Sequence, residues 1–512
     1  MFALVAIFLA GVIVLAATFG INAETWVFKR ANKHIYSSGQ IVAAGTIYDR
    51  NGKVLAQTVN GERKYNSNST VRRATLHAVG DLEGFISTGA HSAFRGELTG
   101  YSFLNGVYDL KRNGAGNDIT LTIDADLCAT AYNALNGRKG AVGVYNYKTG
   151  EILCMVSTPT YDPYNKPTNI DSDTTGKYEA IYLNRFLSGV FTPGSTFKIV
   201  TAISALENIP DINSRTFTCT GQYKTSTGIV KCNSVHGKVN FQQALSKSCN
   251  STFACIAEEL GNDALTKTAE QVGFNKRITI DGISVTKSYF TLKDAVSVDR
   301  GWAGIGQYQT LANPCQMLTM MGAIANGGSA PAPKLLKSDS TLSSLTSPTL
   351  KYLDENIANT IKDMLRKNVT THYGEGKFPG LQLGGKTGTA QVTDGEPHSW
   401  FVAFSEREDL PLAVVVVVEH GGEGISAAAP IANKVMQAAA KKARCYDFIM
   451  ALPNGFDTVI GAELRGRRFL FYLHSGVIVL DYLPPVGALP RHVVRAVLAH
   501  ADPVAVAVNG NF

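Results

Sequence analysis

The chain has eight cysteines in 512 residues but no C-x-x-C pair and no zinc-finger spacing, so no metal site is legible in the sequence. It has no dense lysine or arginine run. The net charge of +7 and pI near 8.8 therefore come with no nucleic-acid motif. Attraction to an anionic membrane or cell-wall polymer fits that charge equally well. Internal repeats are absent, which excludes a solenoid. Charged residues are only 17% against 45% hydrophobic, a composition that builds cores and excludes wholesale disorder. Residues 2–20 contain no charge and a single hydroxyl, Thr18. That run is long enough to span a bilayer and too long for an ordinary signal-peptide core, although a cleavage site near Ala16 or Ala23 is the alternative.

Against those absences stand three motifs in one order: Ser195-Thr196-Phe197-Lys198, Ser248-Cys249-Asn250 and Lys386-Thr387-Gly388-Thr389. A serine hydroxyl needs a nearby base to become a nucleophile. Ser195 follows the turn Thr192-Pro193-Gly194 and precedes an apolar helical stretch, Ile199 to Glu207. It is therefore expected at a helix's first turn, where backbone N–H groups favour a developing anion. Lys198, three residues on, shares its face and is the candidate general base. Ser248 and Asn250, two apart in an extended or loop segment, are expected to point to one side with Cys249 away. Ser248 is placed to relay a proton to a leaving amine, and Asn250 to hold Lys198 and a substrate amide. The third motif reads as a strand close to substrate. Lys386 supplies positive charge, and Thr387 and Thr389 flank Gly388 to bind a carboxylate. The Thr389 and Ser195 N–H groups are the candidate oxyanion hole.

The chain also carries false copies. Lys148-Thr149-Gly150 lies between two strand-like runs and reads as a hairpin turn. Ser284-Val285-Thr286-Lys287 has no helix start. Gly380 to Thr387 matches the P-loop pattern letter for letter, but Phe378-Pro379 precedes it and poor helix formers follow. Cys128, Cys154, Cys249, Cys255 and Cys315 sit in apolar or helical contexts and read as small buried hydrophobes. Cys219 and Cys232 bracket an apparent hairpin, and spacing alone does not choose between a disulfide and two thiols.

Four segments are expected: a transmembrane anchor at 1–22, a pedestal at 23–118, the catalytic domain at 119–442 and an atypical extension at 443–512. Ile47 and Leu55 flank an Asn51-Gly52 turn. Ile119 to Ile123 reads as a strand, with Asp124 capping a helix from Ala125 to Leu135. Leu412 to Val418 reads as a buried strand, and Ala427 to Ala443 as a closing helix.

With the trio in place, the chain resembles class B penicillin-binding proteins, the peptidoglycan D,D-transpeptidases. The likeness covers residues 1–440 and includes Gly45-Thr46-Ile47-Tyr48-Asp49-Arg50-Asn51-Gly52, Tyr161-Asp162-Pro163, Pro193 to Lys198, Gly304-Ile305-Gly306-Gln307 and Ala325-Asn326-Gly327-Gly328. The resemblance implies an α/β fold of the α+β type: an antiparallel sheet flanked by helices, with a membrane helix and a small pedestal. It implies a donor stem peptide ending in D-Ala-D-Ala, a Ser195 acyl-enzyme and β-lactams as acylating inhibitors. It implies no metal or organic cofactor, and a membrane glycosyltransferase of the elongation or division machinery as partner. The catalytic domain is expected outside the cell membrane. Yet Lys29, Arg30 and Lys33 follow the apolar run and only Met1 precedes it, so basic residues are expected upstream.

Two departures stand out. Ala44 replaces the family's arginine before Gly-Thr-Ile, and a weakened pedestal contact is expected. Cys445 to Gly461 resembles the stretch ahead of the ABC-transporter ATPase signature, but Glu463 to Arg468 stands where Leu-Ser-Gly-Gly belongs. Val477 to Asp481 is a passable Walker B strand without the following acid, and a tail of about 70 residues is short for an ATPase domain. It is expected to lack ATPase function. Two rival functions share the trio: a serine β-lactamase, which needs a further base such as Glu258 or Glu259, and a β-lactam sensor, which needs a signalling domain.

Overall fold

The computed structural model describes residues 1–29, 32, 35–37, 40–41, 44–104, 106–107, 116–337, 348–450, 469–473, 476–480 and 497–499. Residues 1–436 form one compact unit and 437–512 another.

The first unit opens with the helix Phe2–Val27, apolar enough to cross a membrane, with a mean hydropathy of 2.7. The pedestal sheet has four short strands in the order Glu62–Tyr65, Val54–Val59, Ile47–Tyr48, Ile119–Thr120. The Asn51-Gly52 turn links Ile47–Tyr48 to Val54–Val59, and Gly52 takes φ 79°. The strand expected over Ile119 to Ile123 is shorter, ending at Thr120; Leu121 still donates to the Tyr48 carbonyl and on its other side bridges to Leu336. Asp124 caps the helix Ala125–Leu135 by accepting from the Asp126 and Leu127 N–H groups.

The carbonyls around Ala44 are held by another arginine: the guanidinium of Arg63 reaches across from the strand Glu62–Tyr65 and donates to the Ala44 and Gly45 carbonyls at 3.1 and 2.7 Å. Its Nε donates to His91 Nε2 at 3.0 Å, and His91 Nδ1 reaches the Gly80 carbonyl. Burial first, then the Arg63 charge, holds His91 down to about 3, so its ring stays neutral and accepts. The pedestal helix Ser69–Val79 is tied to the catalytic part by a bidentate ion pair, Arg72 to Asp162, with both bonds 2.7 Å and both side chains buried.

The catalytic sheet has five antiparallel strands, in the order Leu383–Ala390, His398–Ser405, Leu412–Val418, Gly140–Asn146, Ile152–Thr158. Leu412–Val418 is central and wholly buried, which explains its run of valines. Each contributes about 1.5–3 kcal/mol relative to exposure. The buried helix Pro314–Ala325 covers this strand. The chemically important strand, Leu383–Ala390, is the sheet's edge. Its outer side meets the helix Lys198–Asn208 through the turn that precedes that helix. The Lys148-Thr149-Gly150 copy is the hairpin turn, with Asn146 Oδ1 accepting from the Lys148 and Thr149 N–H groups. Ser284 ends a two-residue strand.

The helix Ala428–Met450 begins in the first unit, continues into the second and runs on beyond the expected Ala443. The second unit holds an antiparallel sheet of Phe469–Leu473, Gly476–Leu480 and Val497–Ala499. The Walker-B-like segment falls on the middle strand. The signature-like stretch at 451–468 and Asp481 lie outside the described residues.

Candidate active site

A single turn of 3-10 helix, Gly194–Thr196, delivers Ser195 to the start of the helix Lys198–Asn208. The turn is pinned on several sides. Gly194 N–H donates to the Gly306 carbonyl at 2.9 Å, and the buried Trp400 Nε1 donates to the Thr192 carbonyl at 3.0 Å. The edge strand lies hard against it: a Cβ on Gly388 would sit 2.7 Å from the Pro193 carbonyl oxygen. That close approach is the physical reason for glycine after Lys-Thr.

Lys198, one helical turn along, is fully buried, and its Nζ has four oxygen neighbours. Asn250 Oδ1 lies at 2.6 Å, the Ser248 carbonyl at 2.7 Å, Ser195 Oγ at 3.0 Å and Ser248 Oγ at 3.1 Å. Burial, then the Lys386 charge, pushes its pKa well below the usual lysine range. A neutral amine has two N–H groups and one lone pair. The Ser248 carbonyl and Asn250 Oδ1 can only accept, so they take the two N–H groups and leave the lone pair for a hydroxyl. The Asn250 amide cannot turn round, because its Nδ2 donates to the Lys231 carbonyl and to Asn233 Oδ1, each at 3.1 Å. The Phe253 ring lies 5.9 Å from the Lys198 Nζ and helps to keep water out.

The second motif is not extended. Ser248 adopts φ 57°, Cys249 is the N-cap and Asn250 opens the helix Asn250–Gln271. This left-handed kink brings both the carbonyl and the hydroxyl of Ser248 to Lys198. Ser248 Oγ also receives Lys386 Nζ at 3.0 Å, so it bridges the two lysines. Lys386 is fully buried, and that burial pushes its pKa down to about 7.

Lys386 to Thr389 lie on the edge strand, with no helix opening at Lys386-Thr387, so the P-loop reading fails. No motif or spacing rule pointed to Tyr373. It ends a π-helical turn, Asn368–Tyr373, and its hydroxyl lies 3.1 Å from both the N–H and the Oγ1 of Thr387. The Thr387 N–H therefore points away from the sheet. The Thr389 N–H, two residues on, shares that outer side and faces the serine turn.

The rival bases are occupied elsewhere. Glu258 pairs with Arg300 at 2.9 Å and accepts from Ser297, and Glu259 pairs with Arg215. A different group of residues is assembled against the second motif. Cys219, Cys232, His236 and Cys249 converge, with their ligand atoms all within 4.8 Å of one another. Cys128, Cys154, Cys249 and Cys315 are buried as expected, Cys255 is only half-buried, and Cys219 and Cys232 are free thiols rather than a disulfide. Sequence spacing hid the group because its donors come from separate segments.

Comparison with known proteins places this geometry. The family described as "Penicillin binding protein transpeptidase domain" matches residues 140–437. A curated relative, the peptidoglycan D,D-transpeptidase PbpA of Mycolicibacterium smegmatis, is 30% identical over 374 residues, covering 65% of this chain and 74% of that protein. Among solved structures, the D,D-transpeptidase domain of a peptidoglycan glycosyltransferase from Eggerthella lenta is 28% identical with a TM-score of 0.66, covering 78% of this chain and 99% of the other. Penicillin-binding protein A of M. tuberculosis, solved as its penicillin G acyl-enzyme, is 25% identical with a TM-score of 0.64, over 78% and 99% of the two chains.

Proposed function

The chain belongs to the penicillin-binding protein transpeptidase family, and from that premise we propose how its own residues carry the reaction. It is a membrane-anchored peptidoglycan D,D-transpeptidase that β-lactams acylate. The observation that carries the residue assignment is the four-oxygen cage around a buried Lys198, with Ser195 Oγ as one of the four.

In this reading, neutral Lys198 takes the Ser195 proton as Oγ attacks the carbonyl between the two terminal D-alanines. The oxyanion forms against the Ser195 and Thr389 N–H groups. The proton now on Lys198 passes through Ser248 to the departing D-Ala nitrogen, which leaves as a neutral amine. Lys198 is thereby reset and the stem peptide remains as an ester on Ser195. An acceptor amine then attacks that ester, losing its proton along the reverse route. The new cross-link forms and the serine hydroxyl is restored. Lys386 faces the donor's terminal carboxylate and holds Ser248 between itself and Lys198. Tyr373 accepts from the Thr387 N–H and gives its own proton to Thr387 Oγ1, leaving the Thr387 O–H for the substrate carboxylate. Gly388 lets the strand approach, and Thr389 completes the hole.

The anchor (1–22), pedestal (23–118) and catalytic domain (119–442) then place the site on the outer face of the membrane, where its substrate lies. A membrane glycosyltransferase of the elongation or division machinery is the fitting partner. The extension at 443–512, with its ATPase-like segment, takes no part in this chemistry. The test is a stem pentapeptide donor with a labelled amine acceptor. Equimolar D-alanine release and amide formation are expected, both lost in Ser195→Ala. Hydrolysis of β-lactam at sustained turnover, with no amide formed, would replace this reading with a β-lactamase.

A further inference from the structure

The helix Phe2–Val27 does not meet the pedestal as a bare stalk. Its end is fastened to the short helix Arg95–Thr99 and the loop that follows. Glu24 lies close against Gly96, where a Cβ would sit 3.1 Å from Glu24 Oε1. The Arg95 guanidinium stands 4.9 Å over the buried Phe28 ring, and Tyr101 meets the same ring edge-on at 5.8 Å. Gly100, at φ 64°, ends Arg95–Thr99. Two residues past Tyr101, Phe103 meets Phe19 edge-on, again at 5.8 Å. Phe19 is five residues before Glu24, the first charged side chain in the chain. On a helix that is about 7.5 Å further into the apolar run. The loop therefore reaches down along the membrane-crossing helix, past its last uncharged turn.

The tip of this loop is closed and apolar. Ser102 and Gly106 donate their N–H groups to each other's carbonyls at 2.9 and 2.7 Å. Between them, Phe103 is 56% exposed and Leu104 is 89% exposed. Single exposed apolar side chains are ordinary. Here two large ones are adjacent on a hydrogen-bonded tip, and one of them touches the anchor. From Gly100 to Tyr108 the sequence carries no charge, and tyrosines stand at 101 and 108. Tyrosine and tryptophan concentrate at the membrane–water interface, and Trp26, 6.0 Å from Phe19, marks that level on the helix. We propose that the tip Phe103–Leu104 inserts into the lipid of the leaflet bordering the pedestal, as a second membrane contact beside the anchor.

The paired Ser102 and Gly106 bonds suit that depth, because unsatisfied backbone groups are costly in hydrocarbon. The other possible occupant is the transmembrane helix of a partner. Lipid is favoured because helix–helix contacts in membranes use long stripes of small residues, whereas this surface is a tip of two bulky ones. It is also continuous with the helix Phe2–Val27, none of whose most apolar stretch is covered by protein. A lone helix leaves the pedestal free to tilt about one point, and the second contact restrains it.

The insertion rests on the reading of Phe2–Val27 as a membrane anchor, and the test reads the two separately. The full chain is placed, one copy each, in nanodiscs of phosphatidylcholine and phosphatidylglycerol whose acyl chains are brominated close to the glycerol. The native tryptophans are Trp26, Trp302 and Trp400. Emission from Trp26, taken as the difference between wild type and Trp26→Phe, should be quenched and reports the anchor. Leu104→Trp and Phe103→Trp, each in the Trp26→Phe background, should add emission that brominated lipid quenches by about twofold or more at this shallow depth. Trp26 quenched with neither loop variant quenched overturns the insertion and leaves the anchor standing. Trp26 unquenched overturns the anchor, and the insertion with it. A tip shielded from aqueous iodide yet untouched by brominated lipid is covered by protein, which also overturns the insertion. Restraint is read by energy transfer from a fluorescent penicillin on Ser195 to acceptor lipids. In Phe103→Ser with Leu104→Ser the spread of transfer should widen while the acylation rate stays that of wild type; an unchanged spread overturns the restraint. The bromine readout needs no acylation, so failure of the insertion and failure of the transpeptidase reading are separable.

Discussion

Asn250→Asp changes one atom and tests whether Lys198 works as a neutral base. Asn250 Oδ1 lies 2.6 Å from Lys198 Nζ and carries no net charge. An opposite charge that close raises the pKa of an ammonium by about 1–3 units, or about 1.4–4 kcal/mol. The neutral fraction of Lys198 at pH 7.5 then falls by about 10- to 1000-fold, and acylation falls with it. The substitution also costs two hydrogen bonds, since Asn250 Nδ2 donates to the Lys231 carbonyl and Asn233 Oδ1. That loss is about 1–3 kcal/mol of local stability and does not depend on Lys198 ionisation. The two effects separate in a pH series. Stopped-flow acylation by a chromogenic cephalosporin should be slow near neutrality, and its ratio to wild type at the same pH should recover by about tenfold per pH unit on the alkaline side, since loss of the Lys386 charge affects both proteins alike. A variant as fast as wild type at pH 7.5 would refute the argument. So would one whose ratio to wild type is the same at every pH at which it remains folded.

Other consequences are as direct. Lys386 is held at about 7 by burial, and Lys198 lies well below the usual lysine range. Acylation of the free enzyme should therefore rise as Lys198 loses its proton and fall above about pH 7 as Lys386 loses its charge; a steady rise through pH 9 contradicts this order. Gly388→Ala puts a methyl 2.7 Å from the Pro193 carbonyl oxygen. It should cut acylation about 100-fold by displacing the edge strand, with little change in melting temperature. Arg72→Ala strands the buried Asp162 carboxylate and should cost about 3–5 kcal/mol in chemical unfolding, while the same change at the exposed Lys64 should leave the unfolding midpoint unchanged.

The parts of this molecule that were legible from sequence are those set by short-range rules. Ser195 and Lys198 share a face because they are three apart on a helix start. Asp124 caps because an acid stands before a helical run, and Asn146 to Gly150 turn because Asn and Gly do so locally. The wholly apolar strand Leu412–Val418 declared its burial by having no polar alternation. What stayed hidden depends on distant segments meeting. Arg63 serves the carbonyls of residues 44 and 45 from the strand Glu62–Tyr65, one strand removed in the sheet. Tyr373 reaches Thr387 from a π-turn that no spacing rule announces. Ser248 takes a positive φ that serine rarely adopts, so alternation misjudged its segment. The side chains of Cys219, Cys232, His236 and Cys249 converge although they sit 13, 4 and 13 residues apart in sequence, a pattern that no spacing rule singles out.

The central claim is that Ser195 forms the covalent intermediate within this cage. Intact-mass measurement of the full chain after benzylpenicillin, wild type beside Ser195→Ala, tests it most directly. The account predicts a persistent adduct of the whole drug on the wild type, mapped to the peptide bearing Ser195, and none on the variant. An adduct that survives in Ser195→Ala, or a wild type that destroys the drug without retaining it, would contradict it.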